Sequence, residues 1–321
     1  MKIDILIPAY NEARSLPELI ERIKASINKL KKTDPYIKNF NFEYHFYIAD
    51  NKSTDNTIEV VNKLQSIYPG EITLIQNLRN YGYDQSTHNL FRLSRGDAAI
   101  HILSDLEDPP ELVGKLIKLW LVAEESNYDS ILAAKVSNDS ELSYIRWGRK
   151  FFYILSRNFL RINIPSGYHG VGIYSNIVVK DAVWLFTKSS LNMRSCLASC
   201  SNSYSTIHYS KSIRRHGKSS MGLRRISSYS IESIFKQERF YHLFIGIMCL
   251  ASIGFFMLCL SLAIINQLIS NSYPSGVLTI AMLISSFAII TNVCIYLLSS
   301  QISSLPKARN GFKVRFNTID K

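Results

Sequence analysis

The chain has 321 residues and carries 37 Lys and Arg against 25 Asp and Glu, a formal net charge of +12 at pH 7. This excess favours an anionic partner such as a lipid surface, and the absence of a basic stripe with interleaved aromatic residues or zinc-finger spacing argues against nucleic acid. The five cysteines form no disulfide framework, and Cys196 and Cys200 with His208 and His216 fit no strong zinc spacing.

Strands and helices alternate along the first part of the chain. Residues 3–7 are apolar apart from Asp4, which predicts a first strand rather than a signal peptide. Ser15 is placed to N-cap a helix that runs to about residue 32, with Glu18 as its capping-box partner. Further strands are predicted at 42–49 and 72–76, each followed by a helix. This alternation is typical of a parallel sheet covered on both faces.

The stretch at residues 98–112 combines a buried strand with clustered carboxylates. Its first half is apolar and partly β-branched, and Asp105, Glu107 and Asp108 follow where the strand should end, before two prolines and a helix predicted at about 111–126. Clustered carboxylates at the carboxyl end of a strand favour a ligand site with Mg²⁺ or Mn²⁺. The same residues also fit an acidic turn that caps the helix. Asp108 could therefore be the N-cap or could orient a substrate.

Polar residues recur at the same end of every predicted strand. They are Tyr10 and Glu12 after the first strand, Asp50 after the second, Asn80 and Gly82 after the third, and the acidic cluster after the fourth. Since the carboxyl ends of parallel strands meet at one edge, the four clusters are expected to converge on one ligand site. A fifth strand is predicted at residues 130–135.

Two uncharged and mostly apolar runs, residues 243–265 and 277–298, are each long enough to span a membrane. The link between them carries no charge, whereas basic residues flank the pair on the other side. The positive-inside rule therefore predicts that both ends, and the large N-terminal domain, are cytoplasmic. Two buried core helices are the alternative. Small residues near the start of the first run would allow close packing between subunits of a homo-oligomer.

Five ordered motifs carry a family resemblance: Pro-Ala-Tyr-Asn-Glu at 8–12, Asp-Asn-Lys-Ser-Thr-Asp at 50–55, Arg-Asn-Tyr-Gly at 79–82, Gly-Asp at 96–97 and Asp-Leu-Glu-Asp-Pro-Pro-Glu at 105–111. In order and spacing they resemble family 2 glycosyltransferases. They are most similar to the branch that loads a sugar onto a polyprenyl phosphate, such as dolichol-phosphate mannose synthases and bacterial undecaprenyl-phosphate glucosyltransferases. The resemblance covers residues 1–135 well and then weakens. Arg215-x-Gly217-x-Ser219 is similar to that branch's Arg-x-x-Gly-x-Ser segment shortened by one residue.

This resemblance implies a GT-A-like α/β fold and a metal-dependent, inverting transfer from a nucleotide-sugar to a polyprenyl phosphate. It assigns the donor to Pro8, Tyr10, Glu12, Asp50, Asn80, Gly82 and Asp105. It assigns Mg²⁺ or Mn²⁺ to Asp105 and Glu107, and catalysis to Asp108 and Arg215. The acceptor phosphate needs cations, for which the candidates are Lys135, Arg146, Arg149 and Arg215, together with Ser219.

The sequence also departs from the family pattern. Leu103 stands where the acidic motif usually begins with Asp, Glu107 replaces a Gln, Gly170 and Val171 replace a sugar-contacting Asp-Phe pair, and Lys135 replaces an Arg. Two further hypotheses therefore stay open: the same chemistry on another lipid-linked or glycan acceptor, and a non-catalytic membrane partner of an active transferase. A processive synthase is disfavoured because two helices cannot form a translocation channel.

The predicted organisation has four parts. They are a cytoplasmic transferase domain at 1–225, a juxtamembrane amphipathic helix at 226–242, two transmembrane helices at 243–298 and a basic cytoplasmic tail at 299–321.

Overall fold

The computed structural model describes residues 1–123, 128–136, 165–189, 191–212, 238–265, 268, 275–304 and 314–317. The chain divides into two compact units. One contains Met1–Gly222 together with Arg309–Lys321, and the other contains Leu223–Ala308. Residues 226–237 of the predicted juxtamembrane helix lie outside the described residues.

The first unit alternates strands and helices along its length. Its elements are β1 (Lys2–Ala9), α1 (Leu16–Thr33), β2 (Glu43–Asp50), α2 (Thr57–Ile67), β3 (Ile72–Asn77), α3 (Tyr83–Leu93), β4 (Ala98–His101), α4 (Leu112–Ala123), β5 (Ser130–Lys135), β6 (Tyr168–Ser175), α5 (Asn176–Lys188), α6 (Met193–Cys200), β7 (Tyr204–Tyr209) and β8 (Val314–Asn317). A short 3-10 helix, Ile37–Asn39, connects α1 to β2.

All eight strands form one sheet in the order β7-β5-β6-β4-β1-β2-β3-β8. β1 pairs in parallel with both β2 and β4, β2 pairs in parallel with β3, and β5 pairs in parallel with β7. β6 runs antiparallel to β4 and β5, and β8 runs antiparallel to β3. The GT-A-like α/β fold that the resemblance implies, a parallel or mixed sheet flanked by helices, is therefore confirmed, and the sheet is mixed.

Helices cover the sheet on both faces, which explains why residues 3–7 of the central strand β1 are apolar apart from Asp4. On one face Ile5 and Ile7 of β1 pack in a cluster with Ile20 of α1 and Leu116 of α4. On the other face Leu6 packs in a cluster with residues of α3, α5 and α6. Alternate side chains of β1 thus enter opposite cores, as expected for a central strand of a parallel sheet.

The predicted capping box at the start of α1 is wrong. Ser15 has helical backbone angles and makes no side-chain cap; its hydroxyl donates instead to Glu12 Oε2 at 2.6 Å. The Glu18 carboxylate accepts from Arg22 Nη1 at 2.8 Å. The reason is that the chain already turns at Glu12, whose carbonyl accepts from the backbone N–H groups of Ser15 and Leu16 at 3.2 and 3.1 Å.

Asp4 is a fully buried carboxylate that organises the turn between α3 and β4. Its Oδ2 accepts from the Ser94 hydroxyl at 2.8 Å and from the backbone N–H groups of Arg95 and Gly96, each at 2.7 Å. Gly96 suits this close approach, because an added Cβ would lie 3.0 Å from Asp4 Cγ and 2.8 Å from the Lys2 carbonyl oxygen. The charge within the first strand is therefore structural.

Asp4→Ala is expected to lower the free energy of unfolding by about 3 kcal/mol or more, because it leaves buried N–H groups without an acceptor. The measurement is urea unfolding of the full chain in detergent. Asp97→Ala is the matched control, since the exposed Asp97 carboxylate accepts only the Lys2 N–H within the described residues, at 2.7 Å. The control should lose less than about 1 kcal/mol. Equal losses in both variants would contradict the structural role of Asp4.

The described part of the second unit contains two long helices that pack against each other, α7 (Glu238–Ile265) and α8 (Ser275–Ser304). Asn292 Nδ2 donates to Ser252 Oγ between them at 3.1 Å. The stretches Phe244–Ile265 and Thr279–Leu298 are long and apolar enough to cross a membrane, and only 6% of each is buried. A core helix of a soluble protein would be mostly buried, so the exposure weighs against the buried-helix alternative.

Candidate active site

The loops at the carboxyl ends of β1, β2 and β4 are joined by hydrogen bonds. The Ser104 hydroxyl, in the loop after β4, donates to the Pro8 carbonyl in β1 at 2.8 Å. The backbone N–H of Asn51, directly after β2, donates to the Ala9 carbonyl at 2.9 Å. Asn11 continues this link, since its N–H donates to Ser53 Oγ at 2.9 Å. The predicted convergence of these strand ends on one rim is present in the structure.

A network of asparagine side chains extends this rim to the end of β3. Asn51 Nδ2 donates to Asn80 Oδ1 at 2.9 Å, and Asn51 Oδ1 accepts from Asn77 Nδ2 at 3.1 Å and from the Tyr81 N–H at 3.0 Å. The Gly82 N–H also donates to Asn80 Oδ1, at 2.9 Å. Asn80 and Gly82, both predicted to bind the donor, are therefore fixed by Asn51 and Asn77, which sequence reasoning did not single out.

The other predicted donor-binding residues differ in exposure. Tyr10 is 42% exposed, whereas Asp50 is almost completely buried and accepts the Ser53 N–H at 3.2 and 3.3 Å on its two oxygens. Glu12 is also buried, and its N–H donates to Thr57 Oγ1 at 3.0 Å. Tyr10 thus offers an accessible ring, while the two acids shape the loops behind it.

The acidic motif has a tight and strained backbone. Leu106 has φ of 59°, a left-handed conformation that side chains with a Cβ seldom adopt, and it is buried in the core. The turn is closed by the Glu107 N–H, which donates to Asp105 Oδ1 at 3.1 Å. The strained residue therefore separates the two carboxylates that were predicted to hold the metal. Such outliers are concentrated at functional sites.

Tyr209, the last residue of β7, and Lys211, two residues further on, contact the acidic motif, and no sequence pattern indicated either of them. The Tyr209 hydroxyl donates to Asp108 Oδ1 at 2.6 Å. Lys211 Nζ lies 3.0 Å from Glu107 Oε2 and 3.7 Å from Asp108 Oδ1. These contacts join residues that are about a hundred positions apart, so only the position of β7 in the sheet could have indicated them.

The alternative in which Asp108 caps the following helix is wrong. α4 begins at Leu112, and its first N–H groups bond to backbone carbonyls, with Leu112 N–H donating to Pro109 O at 2.9 Å. Asp108 is fully buried and its Oδ1 is directed to Tyr209. Within the described residues its Oδ2 has no hydrogen-bond partner.

Burial and the charges of neighbouring groups change the pKa values of the ionisable side chains in and around the motif. Burial, and then the charge of Glu107, raises the pKa of Asp105 to about 6. Burial also raises the pKa of Asp108 above its ordinary value. For Lys211, burial lowers the pKa, but the charges of Asp108 and Glu107 outweigh it, so the ammonium form is favoured. Carboxylates held close together in this way would be stabilised by a cation.

The raised pKa of Asp105 predicts the pH dependence of stability. A carboxyl group that binds its proton more tightly in the folded state stabilises the fold at low pH, and this contribution is lost as pH rises from about 4 to about 6. In EDTA, the unfolding free energy of wild type relative to Asp105→Asn should therefore fall by about 2 kcal/mol between pH 4 and 7. Urea unfolding at several pH values measures the difference.

Asp34 is the control for the direction in which stability changes with pH. A hydrogen bond from Lys118 holds the pKa of Asp34 below its ordinary value. Wild type should therefore gain stability relative to Asp34→Asn as pH rises through the acidic range. If the unfolding free energy of wild type relative to Asp105→Asn instead increased with pH, the raised pKa of Asp105 would be contradicted.

The donor atoms in the motif suit a hard divalent cation. Asp105 and Glu107 offer carboxylate oxygens, which Mg²⁺ and Mn²⁺ prefer. Among the residues that the structure describes, no three His, Cys, Asp or Glu side chains are grouped so that they could hold a metal ion. The two carboxylates would thus supply part of a coordination shell and need further oxygen ligands from a substrate or water.

The remaining predicted site residues have different outcomes. Lys135 ends β5, and its backbone pairs with that of Tyr209, so both strands lead to the acidic motif. Arg146, Arg149, Arg215 and Ser219 lie outside the described residues. Gly170 and Val171, compared above with a sugar-contacting pair, lie inside β6, where the Gly170 carbonyl accepts from Tyr174 Oη at 3.0 Å and lies 2.9 Å from His101 Nδ1.

Comparison with known proteins identifies a family for this chain. A model of glycosyl transferase family 2 matches residues 4–182. An undecaprenyl-phosphate 4-deoxy-4-formamido-L-arabinose transferase of Proteus mirabilis is 30% identical over 130 residues, which are 40% of this chain and 36% of that protein. The Yersinia enterocolitica protein of the same description is 33% identical over 141 residues, 44% of this chain and 39% of its own length. The chain thus matches less than half the length of these curated relatives.

Solved structures are more distant. The mannosyltransferase PcManGT from Pyrobaculum calidifontis, in complex with GDP-Man and Mn²⁺, aligns with a TM-score of 0.45 at 14% identity, over 95% of this chain and 76% of that one. Because the family model covers more than half of the 321 residues, the chain belongs to glycosyl transferase family 2.

Proposed function

We propose that the chain is a hexosyltransferase that moves a sugar, with inversion, from a nucleotide-sugar to a polyprenyl phosphate of the undecaprenyl type at the cytoplasmic face of a membrane. The observation that carries this proposal is the acidic motif, which is joined by the bond from Ser104 to Pro8 to the same rim as Asp50 and the asparagine network. Family membership gives the class of reaction, and the names of the curated relatives suggest the lipid acceptor.

The donor would bind along this rim. Pro8, Tyr10, Glu12 and Asp50 would form the nucleotide pocket, with Asn80 and Gly82 fixed at its side by Asn51. Asp105 and Glu107 would hold Mg²⁺ or Mn²⁺, which when bound would neutralise the negative charge on the departing nucleoside diphosphate. The left-handed Leu106 would keep the two carboxylates at a fixed separation.

The acceptor needs little activation in this chemistry. A lipid phosphate is already an anion at neutral pH, so a strong general base is less necessary than for an alcohol acceptor. Cations are needed to position it, and Lys135, Arg146, Arg149 and Arg215 with Ser219 are the proposed set. Asp108 would act by orienting groups around the reacting centre, because its carboxylate is buried and bonded to Tyr209.

The membrane arrangement is also a proposal. The two long apolar helices would form a hairpin whose ends both lie in the cytoplasm. What supports this topology is β8, which follows the helices in the chain and pairs with β3, which precedes them. Strands of one sheet must lie on the same side of a membrane. A C-terminal green fluorescent protein should therefore fluoresce, and a C-terminal alkaline phosphatase should be inactive; the reverse would contradict the topology.

The direct test is transfer by the purified full chain in detergent. UDP-, GDP- and CDP-sugars would be offered with Mn²⁺ or Mg²⁺ and undecaprenyl phosphate, and a radiolabelled lipid product would be sought. A product from one donor, lost with EDTA, would support the proposal and name the sugar. Donor binding without a lipid product would favour another acceptor. Failure to bind any donor would favour the hypothesis of a non-catalytic membrane partner. That hypothesis is based on Leu103, which stands where the family usually has an Asp.

The acceptor can be tested separately. The segment compared above as one residue short has the full Arg-x-x-Gly-x-Ser spacing when it is counted from Arg214 instead of Arg215, so both arginines should be replaced together. Arg214→Ala with Arg215→Ala should raise the KM for undecaprenyl phosphate and leave the donor's Kd unchanged. An unchanged KM would remove this segment from the acceptor site.

A further inference from the structure

Lys211 is a mostly buried lysine whose charge is directed at the acidic motif. Its ammonium nitrogen lies 3.0 Å from Glu107 Oε2 and 3.7 Å from Asp108 Oδ1. The neighbouring Ser212 N–H donates to the Glu107 carbonyl at 2.8 Å, and Tyr209 bonds to Asp108. Three residues at and just after the end of β7 thus contact the motif, and among these three Lys211 is the one that brings a positive charge to the carboxylates.

The partner of Lys211 is a residue that the proposed function gives to the metal. A divalent cation on Glu107 and an ammonium group within hydrogen-bond distance of the same carboxylate would repel each other strongly, because the surroundings are mostly buried and water screens the charges poorly. Lys211 is therefore expected to move away from Glu107 when a cation binds there.

Asp108 offers the lysine a second acceptor. At 3.7 Å its Oδ1 is just beyond hydrogen-bond distance of Lys211 Nζ. Its Oδ2 is buried, and no hydrogen-bond partner for it exists among the described residues. A small rotation of the flexible lysine side chain would let the ammonium bond to Asp108 while keeping its charge beside the motif.

We propose that Lys211 is the internal counter-ion of the acidic motif and that a divalent cation displaces it from Glu107 toward Asp108. This inference rests on the proposed function, since it needs a cation at Asp105 and Glu107. Lys211 is then a positioning residue that holds the metal ligands when no cation is bound.

The test is Mn²⁺ binding without any donor, measured by electron paramagnetic resonance on the purified full chain in detergent. Lys211→Met removes the competing charge and keeps the length of the side chain, so the Kd for Mn²⁺ should fall about tenfold. Lys211→Arg keeps the charge and should bind Mn²⁺ about as wild type does. Lys118→Met is the matched control, since Lys118 pairs with Asp34 at 2.7 Å outside the motif, and it should leave the Kd unchanged.

A purely structural role for Lys211 predicts the opposite result, because loosening Glu107 would weaken Mn²⁺ binding. A Kd that is unchanged or higher in Lys211→Met would therefore overturn the exchange. The tighter Mn²⁺ binding of Lys211→Met should also persist in 0.5 M KCl, because salt screens long-range attraction but does not remove direct competition between Lys211 and Mn²⁺ for one carboxylate. If the difference in Kd disappears at that salt concentration, the exchange is overturned. Wild type that binds no Mn²⁺ with or without nucleotide-sugars would instead reject the metal site of the proposed function.

Discussion

Asp105→Ala is expected to lower the rate of sugar transfer by about a thousandfold or more. Asp105 Oδ1 accepts the Glu107 N–H at 3.1 Å. The substitution removes both a proposed metal ligand and the group that closes the turn around the strained Leu106. Binding of Mn²⁺ together with the donor should be lost as well. The measurements are steady-state transfer to undecaprenyl phosphate and calorimetric titration of the donor with Mn²⁺.

Glu111→Ala is the matched control for this prediction. Glu111 belongs to the same acidic stretch, but its carboxylate is turned away and pairs with Arg22 Nε at 2.8 Å. It should retain activity within about twofold and lose less than about 1 kcal/mol of stability. Asp105→Asn should resemble Asp105→Ala in activity, because an amide cannot supply the charge. Full activity in Asp105→Ala would refute the assignment of the metal to this motif.

Much of the fold could be predicted because local patterns are strong in this chain. β1 is apolar at residues 3–7 apart from Asp4, and β4 begins with three apolar residues. Both patterns indicate strands buried on both faces, and each strand is followed by polar loop residues. The direction of β6, by contrast, depends on which strand it joins, and no pattern in the sequence of β6 indicates that it pairs antiparallel with β4. The same holds for β8, whose pairing with β3 joins residues on either side of the two long helices.

Site residues that directly follow the predicted parallel strands could be predicted from the sequence. Residues that reach the site only because strands far apart in the chain pair with each other could not. Asp50, Asn80 and Asp105 could be found because parallel strands bring their carboxyl ends to one edge. Lys211 and Tyr209 could not, because they approach the motif only through the position of β7 beside β5. The error at Ser15 has a different cause: a nearby backbone turn took the hydrogen bonds that a capping box needs.

A glycine before β6 supports the strand on which Lys135 lies. The Tyr168 N–H donates to the Pro165 carbonyl at 3.1 Å, and Gly167 within this turn has φ of 81°. Its carbonyl accepts the Lys135 N–H at 2.9 Å. An added Cβ would lie 2.2 Å from the Lys135 carbonyl oxygen, which is backbone and cannot rotate away. Two separate effects therefore oppose any side chain at this position, conformational strain and direct overlap.

Gly167→Ala is accordingly expected to lower the free energy of unfolding by about 3 to 4 kcal/mol, and to reduce transfer because the end of β5 must shift. Gly70→Ala separates the two effects: Gly70 has φ of 79°, but an added Cβ would meet no heavy atom within 4 Å. It should lose only about 1 kcal/mol, the strain alone. Urea unfolding of both variants measures the difference. Equal losses would show that the turn at Gly167 adjusts without moving Lys135, and the overlap would then have no part in holding the end of β5, where the acceptor phosphate is proposed to bind.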